Sequence, residues 1–205
     1  MKRLCIKYGE ERESRTASSH ENNEQSEVMR LVDKAANGNF NAFGDLYSMY
    51  LDRIYRYVYY HVKDQMMAED ITEEVFVKAW KAIKSCKGRG RTFSSWIYRI
   101  AHNHMINSQR NNNRNISMGM ESLTAVSDRR QEVENTADKY ELTELLDELP
   151  LNQKQVIILK FLEGMSNSEI AKVMNKSEGA IRILQMRALS SLRQNITMGG
   201  DVYGA

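Results

Sequence analysis

One proline in 205 residues, Pro150, constrains this chain more than any other feature. Proline is the strongest helix breaker, and glycine, the next strongest, occurs only eleven times. Leu, Ile, Met, Ala, Glu and Lys fill much of the rest, so helix is the default state almost throughout. The chain is expected to be all-α.

Apolar spacing divides that helix into pieces. Val28, Leu31, Val32 and Ala35 recur at helical intervals and stop at Asn37-Gly38-Asn39, a predicted C-cap and turn. A second helix is predicted over Asn41–Val62, a third over Met66–Ser85 and a fourth over Ser94–Arg110. Between the last two lies a basic loop punctuated by glycine, Cys86 to Thr92. Asn111-Asn112-Asn113 opens a weakly apolar stretch that reads as a linker. Leu142, Leu145, Leu146 and Leu149 then form a helix that Pro150 ends, and Gln155–Leu162 form another. After a turn at Glu163-Gly164-Met165, Ser166 and Ser168 can both cap a short helix to Met174. Asn175-Lys176-Ser177 connects it to a final helix over Glu178–Gln194, which makes a helix-turn-helix. The expected organisation is a disordered leader at 1–26, a four-helix domain at 27–114, a flexible acidic linker at 115–139, a helix-turn-helix domain at 140–195 and a tail at 196–205.

The net charge of +2 says less than its distribution. Lys81 to Arg114 hold eight bases and no acid; Glu121 to Leu149 hold nine acids against three bases; Pro150 to Arg193 hold seven bases against three acids. Two basic blocks with an acidic spacer suggest two contacts with a polyanion. Cys5 and Cys86 stand far apart without ligand-spaced neighbours, which fits incidental thiols in a reducing compartment. No apolar run reaches the ~18 residues needed to span a bilayer, and no secretory signal is expected. No paired carboxylates, phosphate loop, metal-ligand cluster or nucleophile-base pair is apparent, so neither a catalytic site, a metal, a cofactor nor a small-molecule substrate is expected.

Three helical faces carry the candidate chemistry. On the third helix Ala68, Ile71, Val75, Ala79 and Ala82 share a core-facing arc, while Asp70, Glu73, Phe76, Val77 and Trp80 lie opposite. That second face is either buried too or open to a partner, and the run of Glu69, Asp70, Glu73 and Glu74 favours a basic partner. On the fourth helix Ile97, Ile100, Ala101, His104 and Met105 face the core. Trp96, Arg99, Asn103, Asn107 and Arg110 form a stripe on the other side. Aromatic, guanidinium and amide groups in one row suit unstacked bases, and Lys84, Lys87, Arg89 and Arg91 nearby suit phosphates. A merely solvated basic face is the alternative. On the last helix Ile181, Leu184, Ala188 and Leu192 face inward, and Arg182, Gln185, Met186, Leu189 and Arg193 lie roughly opposite.

Together these segments resemble the sigma-70 family of RNA polymerase subunits, in its small extracytoplasmic-function group. AEDITEEVFVKAW (Ala68 to Trp80) resembles region 2.2, and FSSWIYRIAHNHMINSQR (Phe93 to Arg110) resembles regions 2.3 and 2.4. Glu148 to Leu189 resembles region 4. The resemblance implies a cytoplasmic bacterial protein whose partners are core RNA polymerase, through the largest-subunit coiled coil and the flap region, and promoter DNA. An anti-sigma factor that would hold it at the inner membrane face is a further partner of the group. Asp70, Glu73, Glu74, Phe76 and Trp80 would dock on polymerase. Lys84, Arg89, Arg91, Trp96, Arg99, Asn103, Asn107 and Arg110 would meet the −10 element, with Asn103 holding a flipped base. Arg182, Gln185, Met186 and Arg187 would meet the −35 element, although Ile183 and Leu184 depart from the usual pattern. A stand-alone helix-turn-helix regulator is the competing reading.

Overall fold

The computed structural model describes residues 23–88, 92–117 and 144–200, and every regular element among them is a helix. Helix α1 runs over 23–36 and buries Val28, Leu31, Val32, Ala35 and Ala36. The leader expected to residue 26 is therefore corrected at its end: 23–26 are already helical, and 1–22 lie outside the described residues. Gly38 ends α1 at φ +95°, a conformation costly for any residue with a Cβ. Asn39 then caps α2 (Phe40–Val62), its side chain accepting from the Ala42 N–H at 3.0 Å. Lys63 closes α2 in the left-handed region, and Asp64 caps α3 (Gln65–Ala82) through Met67 N–H at 2.7 Å. A 3₁₀ turn, Ile83–Cys86, follows.

Helix α4 covers Phe93–Ser117, seven residues beyond the predicted end at Arg110. Asn111-Asn112-Asn113 thus continues the helix instead of opening the linker. Asparagine costs only about 0.7 kcal/mol per helical residue, and no Gly or Pro stops propagation there. Helices α2, α3 and α4 pack together around an aromatic core, with Tyr50 edge-on to Phe93 at 5.2 Å and Tyr57 edge-on to Tyr98 at 5.2 Å. The linker expected at 115–139 lies outside the described residues from 118 on.

The second domain is built from shorter pieces. A single turn, α5 (144–147), buries Leu146; Pro150 then precedes α6 (Leu151–Ile157), which runs into a π turn at Ile158–Leu162. Val156, Ile157, Ile158 and Leu159 are all buried, so this segment is covered on every side. Ser166, not Ser168, caps α7 (Asn167–Met174), in a capping box with Glu169. Asn175 takes the left-handed conformation at φ 52°, and Ser177 caps α8 (Glu178–Gly200) by accepting from the Ala180 N–H at 3.2 Å. Helix α8 packs on both α6 and α7, completing the helix-turn-helix. The two domains also meet: α4 lies against α7, and one apolar core continues from the first domain into the second.

Candidate nucleic-acid interface

Helix α4 presents the predicted stripe in the open. Arg99, Asn103 and Asn107 are exposed, and Trp96 is half-buried with its ring tilted on Phe93 at 5.6 Å. From Trp96 to Asn107 the row rises about 16 Å at 1.5 Å per residue, roughly the length of five stacked nucleotides. The opposite face anchors it through Ile97, Ala101 and Met105, all buried. Arg110 lies on the same helix, with its side chain outside the described set, and Arg89 and Arg91 also fall outside. Lys84 is exposed on the 3₁₀ turn.

The acidic helix departs from expectation. Phe76 is 4% exposed and packs edge-on to Tyr47 at 4.7 Å; Trp80 lies against Phe43 at 4.9 Å and Phe40 at 5.6 Å. The aromatic face of α3 is therefore closed by α2, and Phe76 supports the surface instead of forming it. What stays open is the row Asp70, Glu73 and Val77, with Phe40 (71% exposed) projecting beside Trp80. Phe40 was missed; its signal was a large apolar residue directly after a capping Asn. Among the described residues Asp70 and Glu73 have no cationic partner within 4 Å. Glu74, also exposed, is engaged by Lys78 at 3.1 Å and His104 at 3.3 Å. The Lys78 bond, with His104 beside it, holds the Glu74 carboxyl below the usual range, and burial with Lys78 lowers His104. A neutral His104 fits this geometry: Nδ1 accepts from Lys78 while Nε2–H donates to Glu74. Ala82, expected in the core, is exposed, because the chain tightens into the 3₁₀ turn there.

On α8, Ile181 and Ala188 are fully buried, and Leu184 and Leu192 half-buried. Arg182, Met186 and Arg187 are exposed, whereas Gln185 is half-buried. Arg187 is turned about 140° from Arg182 around the helix, so the four predicted residues do not form one face. Ile183, Met186 and Leu189 are exposed apolar neighbours in this region. Met186 and an arginine can still share a groove contact with base edges and phosphates.

Sequence comparison agrees with the geometry. Residues 46–115 match the family described as Sigma-70 region 2, and residues 139–192 match Sigma-70, region 4. The ECF RNA polymerase sigma factor BldN of Streptomyces coelicolor is 35% identical over 173 residues, 82% of this chain and 66% of its own length. The RNA polymerase sigma factor SigV of Bacillus subtilis is 30% identical over 143 residues, 70% of this chain and 84% of its own. In fold the chain resembles the sigma factor RpoE, solved in complex with the anti-sigma factor NepR from Bartonella quintana. The TM-score is 0.67 at 19% identity, over 76% of this chain and 96% of that one. An all-helical two-domain protein with these two regions in this order is a sigma factor, and the chain belongs to the sigma-70 family. Its relatives place it in the extracytoplasmic-function group, which directs RNA polymerase to promoters.

Proposed function

We propose that the two domains divide promoter reading between them: residues 27–114 dock on polymerase and open the −10 element, and residues 140–195 read the −35 element. The observation that carries this is the exposed Arg99–Asn103–Asn107 row beside Trp96, standing on a rigid aromatic core. Arg99 would hold phosphate, Asn103 would hydrogen-bond an extruded base, and Trp96 would offer its ring edge as a stacking stop. Extruding a base costs a few kcal/mol, and these contacts would offset it. Asp70, Glu73 and Glu74 would meet basic residues of core polymerase, with Val77, Phe40 and the edge of Trp80 as the apolar centre. Arg182 and Met186 would enter the major groove, with Gln185 and Arg187 at its sides.

In this reading the protein performs no chemistry of its own, since nucleotide transfer belongs to core polymerase. No helix among the described residues is long and apolar enough to cross a membrane. The protein would act in the cytoplasm, with an anti-sigma factor as a further partner, as the RpoE complex illustrates for that protein.

Permanganate reactivity of −10 thymines in the holoenzyme–promoter complex tests the assignment. Asn103→Ala should leave polymerase docking intact and reduce reactivity on duplex promoter, with partial recovery on a template mismatched over the −10 region. Equal reactivity for mutant and parent on duplex DNA would remove Asn103 from the site.

A further inference from the structure

Arg182 and Arg187 stand about 140° apart around α8, and two apolar side chains fill the gap between them. Around the helix the order is Arg182, Met186, Ile183 and Arg187, at steps of about 40°, 60° and 40°. All four are exposed, Met186 by 65% and Ile183 by 50%. Gln185 lies about 60° outside this arc and is half-buried. On the side opposite the arc, Ile181 and Ala188 are buried where α8 packs on α6 and α7. Singly exposed apolar residues are ordinary on a protein surface. Here the pair forms the leading edge, the part of α8 that reaches furthest into anything the two arginines hold.

The dimensions suit a DNA major groove. A helix with its side chains is about 10–12 Å across and the groove is about 12 Å wide, so arginines at the two margins of the arc point to its phosphate walls. Arg182 is only loosely held, 3.8 Å from Glu178 with 70% of its side chain exposed, and can turn to a phosphate. Ile183 and Met186, three residues apart with Cβ atoms about 5–6 Å from each other, then face the groove floor. Neither forms a strong hydrogen bond, so neither can select a base by its donors and acceptors. The floor carries one apolar group, the thymine C5-methyl. Any polar base edge set against them would lose water without gaining a partner.

We propose that Ile183 and Met186 set −35 specificity by packing on a thymine methyl, while Arg182 and Arg187 fix α8 to the phosphate walls. Methyl reading rests on α8 meeting the −35 element, as proposed above. It gives the selecting role to Ile183, the position that departs from the usual pattern. The element chosen this way has at least one A·T pair with its thymine methyl under α8. A second copy of the protein is the alternative occupant of this face. Arginines at both margins, within a segment where seven bases oppose three acids, favour a polyanion instead.

Deoxyuridine supplies the test, since it pairs like thymine and lacks only the methyl. A promoter is obtained from run-off transcription of genomic fragments by the holoenzyme, and each thymine of its −35 region is replaced singly by deoxyuridine. Footprint titration then gives holoenzyme affinity for the parent, Ile183→Ala, Met186→Ala and Arg182→Ala. Burying one CH₂-sized group changes an equilibrium about fourfold, so the parent should lose about fourfold at one or two positions. Ile183→Ala, Met186→Ala or both should abolish that loss. Arg182→Ala should bind more weakly, with a salt slope lower by about one unit, and keep the sensitivity to deoxyuridine. Ile183 and Met186 are at least half exposed, so truncating them should leave helicity by circular dichroism unchanged.

Upstream protection with no deoxyuridine effect in the parent would overturn methyl reading and leave −35 reading by α8 standing. A −35 region without thymine, or a deoxyuridine effect undiminished in both Ile183→Ala and Met186→Ala, would overturn it as well. No upstream protection in the parent would overturn both readings. Self-association that Ile183→Ala abolishes, without a deoxyuridine effect, would give the face to a second copy and overturn methyl reading.

Discussion

The two domains reach stability by different means. The first packs rings: Phe43, Tyr50, Tyr57, Phe93 and Tyr98 are buried, on helices of 23 and 25 residues. The second packs aliphatic chains, chiefly Ile158, Leu159, Ile170 and Ile181, with helices as short as seven and eight residues. Helices that short are not stable alone, so the second domain depends on its caps and on each core side chain. The first has reserve enough to carry exposed aromatic and cationic groups that add little to stability. The surface proposed to melt DNA and the surface proposed to read duplex thus stand on differently built supports.

The largest break in this contrast should come from Ile170→Ala. Ile170 is fully buried in α7, and a cavity there should cost about 2–5 kcal/mol. The second domain should then open while the first stays folded. Hydrogen exchange would show fast amides in α7 and α8 beside protected amides in α2 and α3; uniform acceleration in both domains would mean they fold as one unit.

The next effect is pH-dependent and lies where the domains meet. Burial, then the nearby Lys154 and His102, lowers His61 from 6.5 to about 4, against an opposing bond to the Tyr57 carbonyl at 2.7 Å. The residue keeps some exposure, but its Nε2 is sealed from solvent without a partner. The folded state favours the neutral ring and binds fewer protons than the unfolded state between these values. Stability is therefore present above about 6.5 and falls as pH drops toward about 4, by at most about 3 kcal/mol. Denaturant midpoints from pH 7 to 4.5 should fall in the parent and flatten in His61→Gln.

Ser166→Ala is the smallest lever, removing one half of the capping box with Glu169. About 1 kcal/mol of second-domain stability should be lost, read as a shift in the denaturant midpoint of α7 amides. No shift would mean that Glu169 alone sustains the cap.

How much was legible in the sequence follows the same division. Spacing alone located α2, α3 and the helix-turn-helix, because one-sided burial writes a period of 3.6 into each. It failed where a residue answers to a neighbour in space. Whether Phe76 and Trp80 are buried or open to a partner was not decidable from spacing, since a helical wheel cannot display α2, whose Phe40, Phe43 and Tyr47 cover them. Glu163 read as a turn residue; only the tertiary fold brings Arg53, Arg56 and Tyr98 to it. Its trace in the sequence was a lone acid between Leu162 and Gly164-Met165, inside a basic block. The α4 stripe was legible because exposed positions on a long helix need no partner to be placed.

Footprinting of holoenzyme on one promoter tests the division of labour most directly. Complexes are formed with the parent, with Arg99→Ala plus Asn103→Ala, and with Arg182→Ala. The first variant should keep upstream protection around −35 and lose permanganate reactivity at −10. Arg182→Ala should weaken upstream protection by about 1–3 kcal/mol while leaving −10 thymines reactive once the complex has formed. Variants that diminish both halves of the footprint equally, or neither, would contradict the account.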